Sequence, residues 1–161
     1  MLNEFWLWLE YLPIAGHIGA TWWFPLMESL HVVSITLMLG AILMLDLRVL
    51  GLAASGYTVS RMSRELVPWS AAAFVVATLT GTAMFITRAS AHVLNPAFQI
   101  KMLLILVAGI NIAIFHFRIF RTVSHWDIST KAPASARMVA GASLFLWCGA
   151  MLAGRWVGHV I

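Results

Sequence analysis

The segment from Trp22 to Arg48 is the feature that most constrains how this chain folds. It is long and apolar enough to cross a bilayer, because a spanning helix needs about 20 mostly apolar residues at ~1.5 Å each. The segment nevertheless carries Glu28 and His31 near one end and Asp46 near the other. Ionisable groups at membrane depth are costly, so they usually face the interior of a bundle and mark a site. We therefore expect the rest of the chain to pack around these polar residues.

The remaining sequence contains enough apolar segments for a complete bundle. Hydrophobic residues make up 61% of the chain and charged residues only 10%, which is far from the balance of a soluble protein. We assign spans to residues 22–48, 67–88, 96–121 and 137–157, and an interfacial amphipathic segment to residues 3–19, which are too few to span. The predicted fold is all-α: a four-helix transmembrane bundle in a single domain, with an interfacial helix at its N-terminus.

The basic side chains predict how the helices are oriented in a membrane. Most of them lie in or beside the loops that follow the first and third spans, namely Arg48, Arg61, Arg64, Arg118, Arg121, Lys131 and Arg137. The positive-inside rule places these loops in the cytoplasm. We therefore expect a multi-pass protein of a bacterial inner membrane with both termini on the periplasmic side. Because the basic residues sit between apolar runs, the net charge of +4 does not indicate a nucleic-acid partner.

Two local patterns predict how the spans begin and pack. Asn95 followed by Pro96 is typical of an N-cap and the first helical position, so the third span should start there. Ala73, Ala77 and Gly81 recur at every fourth residue of the second span. Such a row of small residues lets a neighbouring helix approach closely.

Depth along the helices divides the ionisable residues into two groups. His31 lies about 9 Å from Pro25, and Lys101 lies about 7 Å from the start of the third span. The outer third of the bundle should therefore gather candidate ligands and supporting charges: His17, Glu28, His31, Met84, Arg88, His92, Lys101, Arg155 and His159. His116 is ~30 Å along the third span, too far to share a small site with His31. We expect its neighbours to be Asp46, Arg48, Asn111, Arg118 and His125.

These residues also have structural interpretations. His31 either ligates haem iron or another metal, or forms hydrogen bonds within its own helix or to a neighbouring one. Glu28 and Lys101 are expected to form an ion pair rather than a proton relay. Asp46 and Arg48 are expected to fix a helix end or a loop.

The candidate site consists of cofactor-binding, metal-binding and supporting residues. The cofactor-binding candidates are His31, Met84, His92, His116 and His159, and a metal other than haem iron would bind at His31 and His92. The polar residues expected to support the site are Glu28, Asp46, Lys101 and Arg155.

Several motifs carry a resemblance that covers most of the chain. They are ESLH at 28–31, DLRVLG at 46–51, Pro68 and NPAFQIK at 95–101. With these motifs the chain resembles a small family of bacterial four-span membrane proteins with no assigned activity. Its architecture is also similar to that of four-helix b-type membrane cytochromes, in which histidines on spanning helices hold haem.

Three functions are compatible with these observations. The leading hypothesis is a redox subunit that holds haem b near the outer face and passes electrons between a quinone and a partner protein. The second is a non-catalytic accessory or assembly subunit that packs onto other membrane subunits or onto copies of itself. The third is copper or zinc handling through the outer histidines and methionines.

Overall fold

The computed structural model describes residues 2–128 and 132–159, so Lys131 of the predicted basic loop lies outside the described residues. All the secondary-structure elements in these residues are helices, which confirms the predicted all-α fold class. They are α1 (Leu2–Glu10), α2 (Pro13–Ala20), α3 (Trp23–Leu50), α4 (Val59–Ile86), α5 (Ala89–Leu94), α6 (Pro96–Ile114), a π-helical turn (Phe115–Ile119), a 3₁₀ helix (Phe120–His125) and α7 (Ala134–Trp156).

Four helical segments are long and apolar enough to cross a membrane: Trp23–Leu50, Val59–Ile86, Pro96–His125 and Ala134–Trp156. In the bundle, α3 packs against both α4 and α7, and α7 packs against α6. The backbones of α4 and α6, in contrast, do not pack closely against each other. One side of the bundle is therefore more open than the others.

The bundle has two ends that differ in chemistry. We call the end that contains Arg48, Arg61, Arg64, Arg118, Arg121 and Arg137 the basic end. At the opposite, terminal end, the N-terminal helices meet the α4–α6 connection. There Ser90 donates two hydrogen bonds to Glu10 Oε1, both of 2.6 Å, and Asn95 Nδ2 donates one of 2.9 Å to the carbonyl of Val157.

Arg48 organises the basic end from inside the protein. Its side chain is only 1% exposed, although it carries a permanent charge. Its Nε donates to the carbonyl of Tyr57 at 2.6 Å, and its Nη2 donates to the carbonyl of Asp127 at 3.2 Å. The Asp127 carboxylate in turn accepts a hydrogen bond from the backbone N–H of Ser60 at 2.8 Å. Arg48 therefore ties the α3–α4 loop to the segment after the 3₁₀ helix, which confirms that it fixes a loop.

The second span starts eight residues earlier than its apolar segment predicts. Thr58 caps α4 by accepting a hydrogen bond from the backbone N–H of Arg61 at 3.3 Å. Pro68 consequently lies inside α4 instead of opening it. The prediction failed because proline is common at helix starts, whereas spanning helices tolerate interior prolines when other groups satisfy the freed carbonyl.

The other boundaries differ in smaller ways. The predicted interfacial segment is two helices that meet at Tyr11–Leu12, with Pro13 beginning the second. Residues 89–94, expected to be loop, form α5. The third span continues past residue 121 because a π-helical turn and a 3₁₀ helix follow α6 without a break.

Two predicted local features are confirmed. The Asn95 side chain caps α6 by accepting hydrogen bonds from the N–H groups of Ala97 and Phe98, at 2.9 and 3.3 Å. In the row of small residues on α4, Ala73 and Ala77 are buried, and Gly81 lies against a side chain of α3. Large apolar side chains such as Leu37, Leu79, Leu103 and Phe145 are exposed on the outside of the bundle, as contact with lipid requires.

Candidate functional site

His31 lies between α3 and α4, with its ring turned toward the α4 backbone. Its Nδ1–H lies 2.9 Å from the carbonyl oxygen of Ala77 and 3.1 Å from Thr80 Oγ1. Since a carbonyl oxygen only accepts, Nδ1 carries the proton, and in the neutral ring Nε2 carries the free lone pair. Nε2 has no hydrogen-bond partner in the described part of the chain.

Gly81 makes this position of the His31 ring possible. A Cβ atom at Gly81 would lie 2.9 Å from Cε1 and 3.4 Å from Nδ1 of the His31 ring. The first distance is shorter than an ordinary van der Waals contact, and the second is at its lower limit. Glycine at position 81 thus leaves the space in which the ring lies against α4 and donates to the Ala77 carbonyl. The row of small residues consequently has a second role besides helix packing, which is to position the ring of His31.

Lys101 approaches the same region from α6. Its aliphatic chain packs over Gly154 of α7, where a Cβ would lie 3.5 Å from Cδ and Cε. Its ammonium group is close enough to the ring of His31 to interact with it electrostatically. The ammonium forms no hydrogen bond or ion pair with any residue that the structure describes. A cation without a partner in the described residues therefore lies in the same region of the bundle as the imidazole.

The predicted ion pair between Glu28 and Lys101 is wrong. Glu28 is exposed, and its carboxylate does not come within ion-pair distance of Lys101. The two residues match in depth, but depth alone does not determine which face of a helix a residue occupies. Glu28 lies on an exposed side of α3, whereas Lys101 extends toward α7 and His31.

The remaining candidates at the terminal end are held separately. His92 Nδ1 donates to the carbonyl of Arg88 at 2.6 Å, and His159 Nδ1 donates to the carbonyl of Arg155 at 3.2 Å. The side chains of Arg155 and His159 are exposed, and that of Met84 is half-buried. Within residues 2–128 and 132–159 there is no group of three or more His, Cys, Asp or Glu residues that could hold a metal ion.

His92 instead borders a cavity of about 640 Å³ under the N-terminal helices. Its ring centroid lies 6.0 Å from that of Phe85 and 5.7 Å from that of Phe98. Glu10 and Arg88 also line this cavity. Because Glu10 is already bonded to Ser90, we interpret this region mainly as the contact between α1, α2 and α5.

A second cavity, of about 340 Å³, lies among all four spans in the half of the bundle nearer the basic end; we call it the central cavity. Most of its lining is aliphatic or aromatic, and it includes Met38, Leu45, Phe74, Ile105, Ile112 and Phe115. Its polar lining residues are Asp46, Ser70, Asn111, His116 and Ser143, together with the indole of Trp147. Asp46 is ~22 Å along α3 from His31, so the two regions are distinct.

Two fully buried polar atoms of the central cavity lack hydrogen bonds in the described residues. Asp46 is 8% exposed and Trp147 is 6% exposed. Ser143 interacts with the carboxylate of Asp46, but Asp46 Oδ2 and Trp147 Nε1 are buried without a partner. A buried polar group left unpaired costs about 1–3 kcal/mol, and more if it is charged. The prediction that Asp46 fixes the helix end or a loop together with Arg48 is therefore wrong. Asp46 instead lines this cavity.

His116 borders the central cavity from the π-helical turn. Its ring stacks on that of Phe120 at a centroid distance of 5.5 Å and an interplanar angle of 9°. Such turns are rare and are frequent at functional sites. Asn111, one turn earlier, donates a hydrogen bond of 3.0 Å to the carbonyl of Val139 and so joins α6 to α7. The structure therefore brings His116, Asn111 and Asp46 to one cavity, as their depths predicted. Arg48, Arg118 and His125, which were expected in the same group, do not line it.

Sequence reasoning gave no role to Ser143 or Trp147. A signal was present for Trp147, which lies in the middle of a span, whereas tryptophans of membrane proteins concentrate at the interfaces. Ser143 carries no such signal, because serine is common on helix faces that pack closely in membranes.

Four helices in the described residues are long and apolar enough to cross a membrane and carry polar side chains between them, which is typical of an integral membrane protein. The chain belongs to DUF6644, a family of unknown function, which it matches over residues 5–160. This agrees with the predicted likeness to a four-span family without assigned activity. No curated protein and no solved structure matches the chain, and the likeness to b-type cytochromes receives no support from these comparisons.

Proposed function

We propose that this chain is a membrane-embedded redox subunit in which His31 ligates a b-type haem near the terminal end. In this proposal electrons pass between a quinone and a partner protein. The observation that carries the proposal is the ring of His31, which lies inside a span with Nδ1–H bonded to the Ala77 carbonyl. Ligating histidines commonly donate their other ring N–H to a carbonyl, which fixes the tautomer and directs the second nitrogen to the metal.

The surroundings of His31 fit an axial ligand in two respects. Nε2 has no hydrogen-bond partner in the described residues, so no protein contact must break for it to bind iron. Lys101 supplies a positive charge beside the ring, which would pair with a haem propionate. When bound, haem supplies one-electron transfer. His92, His159 and Met84 remain the predicted sources of a second axial ligand, or that ligand comes from another subunit.

The location of the protein is part of the proposal. The clustering of arginines at the basic end supports a cytoplasmic position for that end in a bacterial inner membrane. Both termini would then lie in the periplasm. An alkaline phosphatase fused after residue 161 should be active in bacterial cells, and an inactive fusion would reverse the topology.

Replacing His31 with alanine tests the haem proposal, with His17→Ala as the matched control. His17 is exposed, and its side chain makes no hydrogen bond in the described residues. We expect the wild type and His17→Ala to show a Soret band after purification in detergent. His31→Ala should lose at least nine-tenths of its haem per protein, since an axial ligand is removed. Both variants should elute as single symmetrical peaks in size-exclusion chromatography, as a folded protein does.

Three outcomes would contradict the haem proposal. One is a His31→Ala variant that retains its full haem content. Another is a folded, colourless wild-type protein that co-purifies with a membrane subunit, which would support the accessory function. The third is a colourless protein with stoichiometric copper or zinc, which would support metal handling.

A further inference from the structure

The central cavity has the size and composition of a ligand site. Its volume of about 340 Å³ falls within the roughly 300–1,000 Å³ of small-molecule pockets. Such pockets are mostly apolar and contain a few polar groups that orient the ligand. The apolar walls come from all four spans, whereas the unpaired polar atoms belong to Asp46 on α3 and Trp147 on α7.

The hydrogen-bonding chemistry of the two unpaired atoms determines which polar groups a ligand of this cavity must have. Trp147 Nε1–H only donates, so it requires an acceptor, and a carboxylate oxygen of Asp46 requires a donor. Ser143, which contacts Asp46, and Trp147 are four residues apart on α7, so they lie on the same face about 6 Å apart along the axis. A ligand that satisfies both atoms must therefore present a donor to Asp46 and an acceptor to Trp147.

The packing of the helices indicates where such a ligand enters. The backbones of α4 and α6 do not pack closely, yet both helices contribute walls to the central cavity. Phe74 of α4 reaches across to Trp147, with ring centroids 6.4 Å apart, and is itself 42% exposed on the outside of the bundle. The route between these helices leads to the surface that faces lipid, which favours a lipophilic molecule.

We propose that the central cavity binds a quinol, whose hydroxyl groups donate to the carboxylate of Asp46 and accept from the indole N–H of Trp147. The choice of a quinol among lipophilic hydroxylated molecules rests on the proposed redox function. The cavity and its unpaired atoms are independent of His31. The π-helical turn contributes Phe115 and His116 to the lining of the cavity, and in this proposal they contact the ring of the ligand.

The competing explanation is that Asp46 only clamps α3 to α7 through Ser143. Replacing Asp46 with leucine separates the two explanations. If Asp46 serves binding, Asp46→Leu removes a costly buried group and raises the midpoint of thermal unfolding while binding is lost. If Asp46 is a clamp, the same substitution lowers the midpoint and leaves binding intact.

Anaerobic titration calorimetry of the full-length chain in lipid nanodiscs tests the proposal. The probe is durohydroquinone, and durene, the same methylated ring without oxygens, is its control. Trp147→Phe removes the unpaired N–H and keeps an aromatic ring. Its matched control is Trp126→Phe, because Trp126 is equally buried but its Nε1–H is already bonded to Thr122 Oγ1 at 3.1 Å. We expect wild type and Trp126→Phe to bind durohydroquinone equally. Trp147→Phe and Asp46→Leu should each bind durohydroquinone at least tenfold more weakly than wild type does. Wild type should bind durene at least tenfold more weakly than it binds durohydroquinone.

Several results would overturn this proposal. If durene and durohydroquinone bind equally, the polar atoms do not contribute to ligand binding. An unchanged affinity of Trp147→Phe for durohydroquinone would lead to the same conclusion. Binding of durohydroquinone in detergent but not in phospholipid nanodiscs, with the same dependence on Trp147, would assign the cavity to a lipid headgroup. Failure here is distinct from failure of the haem proposal. A colourless protein that binds durohydroquinone through these residues contradicts only haem ligation, and a haem protein that does not bind it contradicts only the quinol site.

Discussion

Replacing Arg48 with methionine is expected to lower the free energy of unfolding by about 3–5 kcal/mol, since a buried, hydrogen-bonded cation is removed and its partners remain buried. Methionine matches the aliphatic part of arginine but lacks the guanidinium, so it cannot donate to the carbonyls of Tyr57 and Asp127. Both acceptors then lose a partner, and the loops they belong to lose their connection. Thermal unfolding in detergent, followed by circular dichroism, measures the effect.

Arg64→Met is the matched control for this experiment. Arg64 is also at the basic end, but it is exposed, and its side chain makes no hydrogen bond or ion pair in the described residues. We expect its substitution to change stability by less than about 0.5 kcal/mol. If the two variants unfold at the same temperature, Arg48 does not hold the basic end together.

Replacing Gly81 with alanine is expected to abolish haem binding at His31, although position 81 does not contact the ligand in the proposal. The added Cβ would lie 2.9 Å from Cε1 of the ring, so the ring must move away from α4. The hydrogen bond from Nδ1 to the Ala77 carbonyl is then lost, and with it the orientation of Nε2. Overpacking also costs about 1–3 kcal/mol of stability. Haem content per protein and the midpoint of thermal unfolding measure the two effects.

Gly40→Ala provides the control on the helix that carries His31. A Cβ at Gly40 would have no atom within 4 Å apart from its own helix. Because alanine favours helix more than glycine does, we expect this variant to be at least as stable as the wild type and to keep its haem. A Gly81→Ala variant with unchanged haem and stability would show that the ring does not depend on the close contact with α4.

The large features of the fold were predictable because they follow from the length of apolar segments and from cap chemistry. The start of α6 at Asn95 and Pro96 agrees with the boundary predicted from its cap, and α3 ends at Leu50, two residues beyond the predicted end of its span. The start of α4 was missed because Thr58 caps a polar first turn that precedes the apolar segment. The π-helical turn was missed because neither apolar length nor cap chemistry distinguishes it from a continuing α-helix.

The depth of each candidate residue along its helix was predictable, but the direction of its side chain was not. Spacing correctly placed His31 and Lys101 in one region, and Asp46, Asn111 and His116 in another. It could not show which face of each helix these residues occupy, so it paired Lys101 with Glu28. The direction of each side chain is set by how the helices are rotated against each other, and hence by contacts such as that of Gly81 with the His31 ring.

The reduced-minus-oxidised absorption spectrum of the purified wild-type protein tests the central claim most directly. The protein should be produced in cells supplied with a haem precursor and kept in a mild detergent. We predict a b-type spectrum, with a Soret band and a sharp α band that appear on reduction, at one haem or more per two chains. A folded protein without these bands, after production under the same conditions, would contradict the assignment of His31 as a haem ligand.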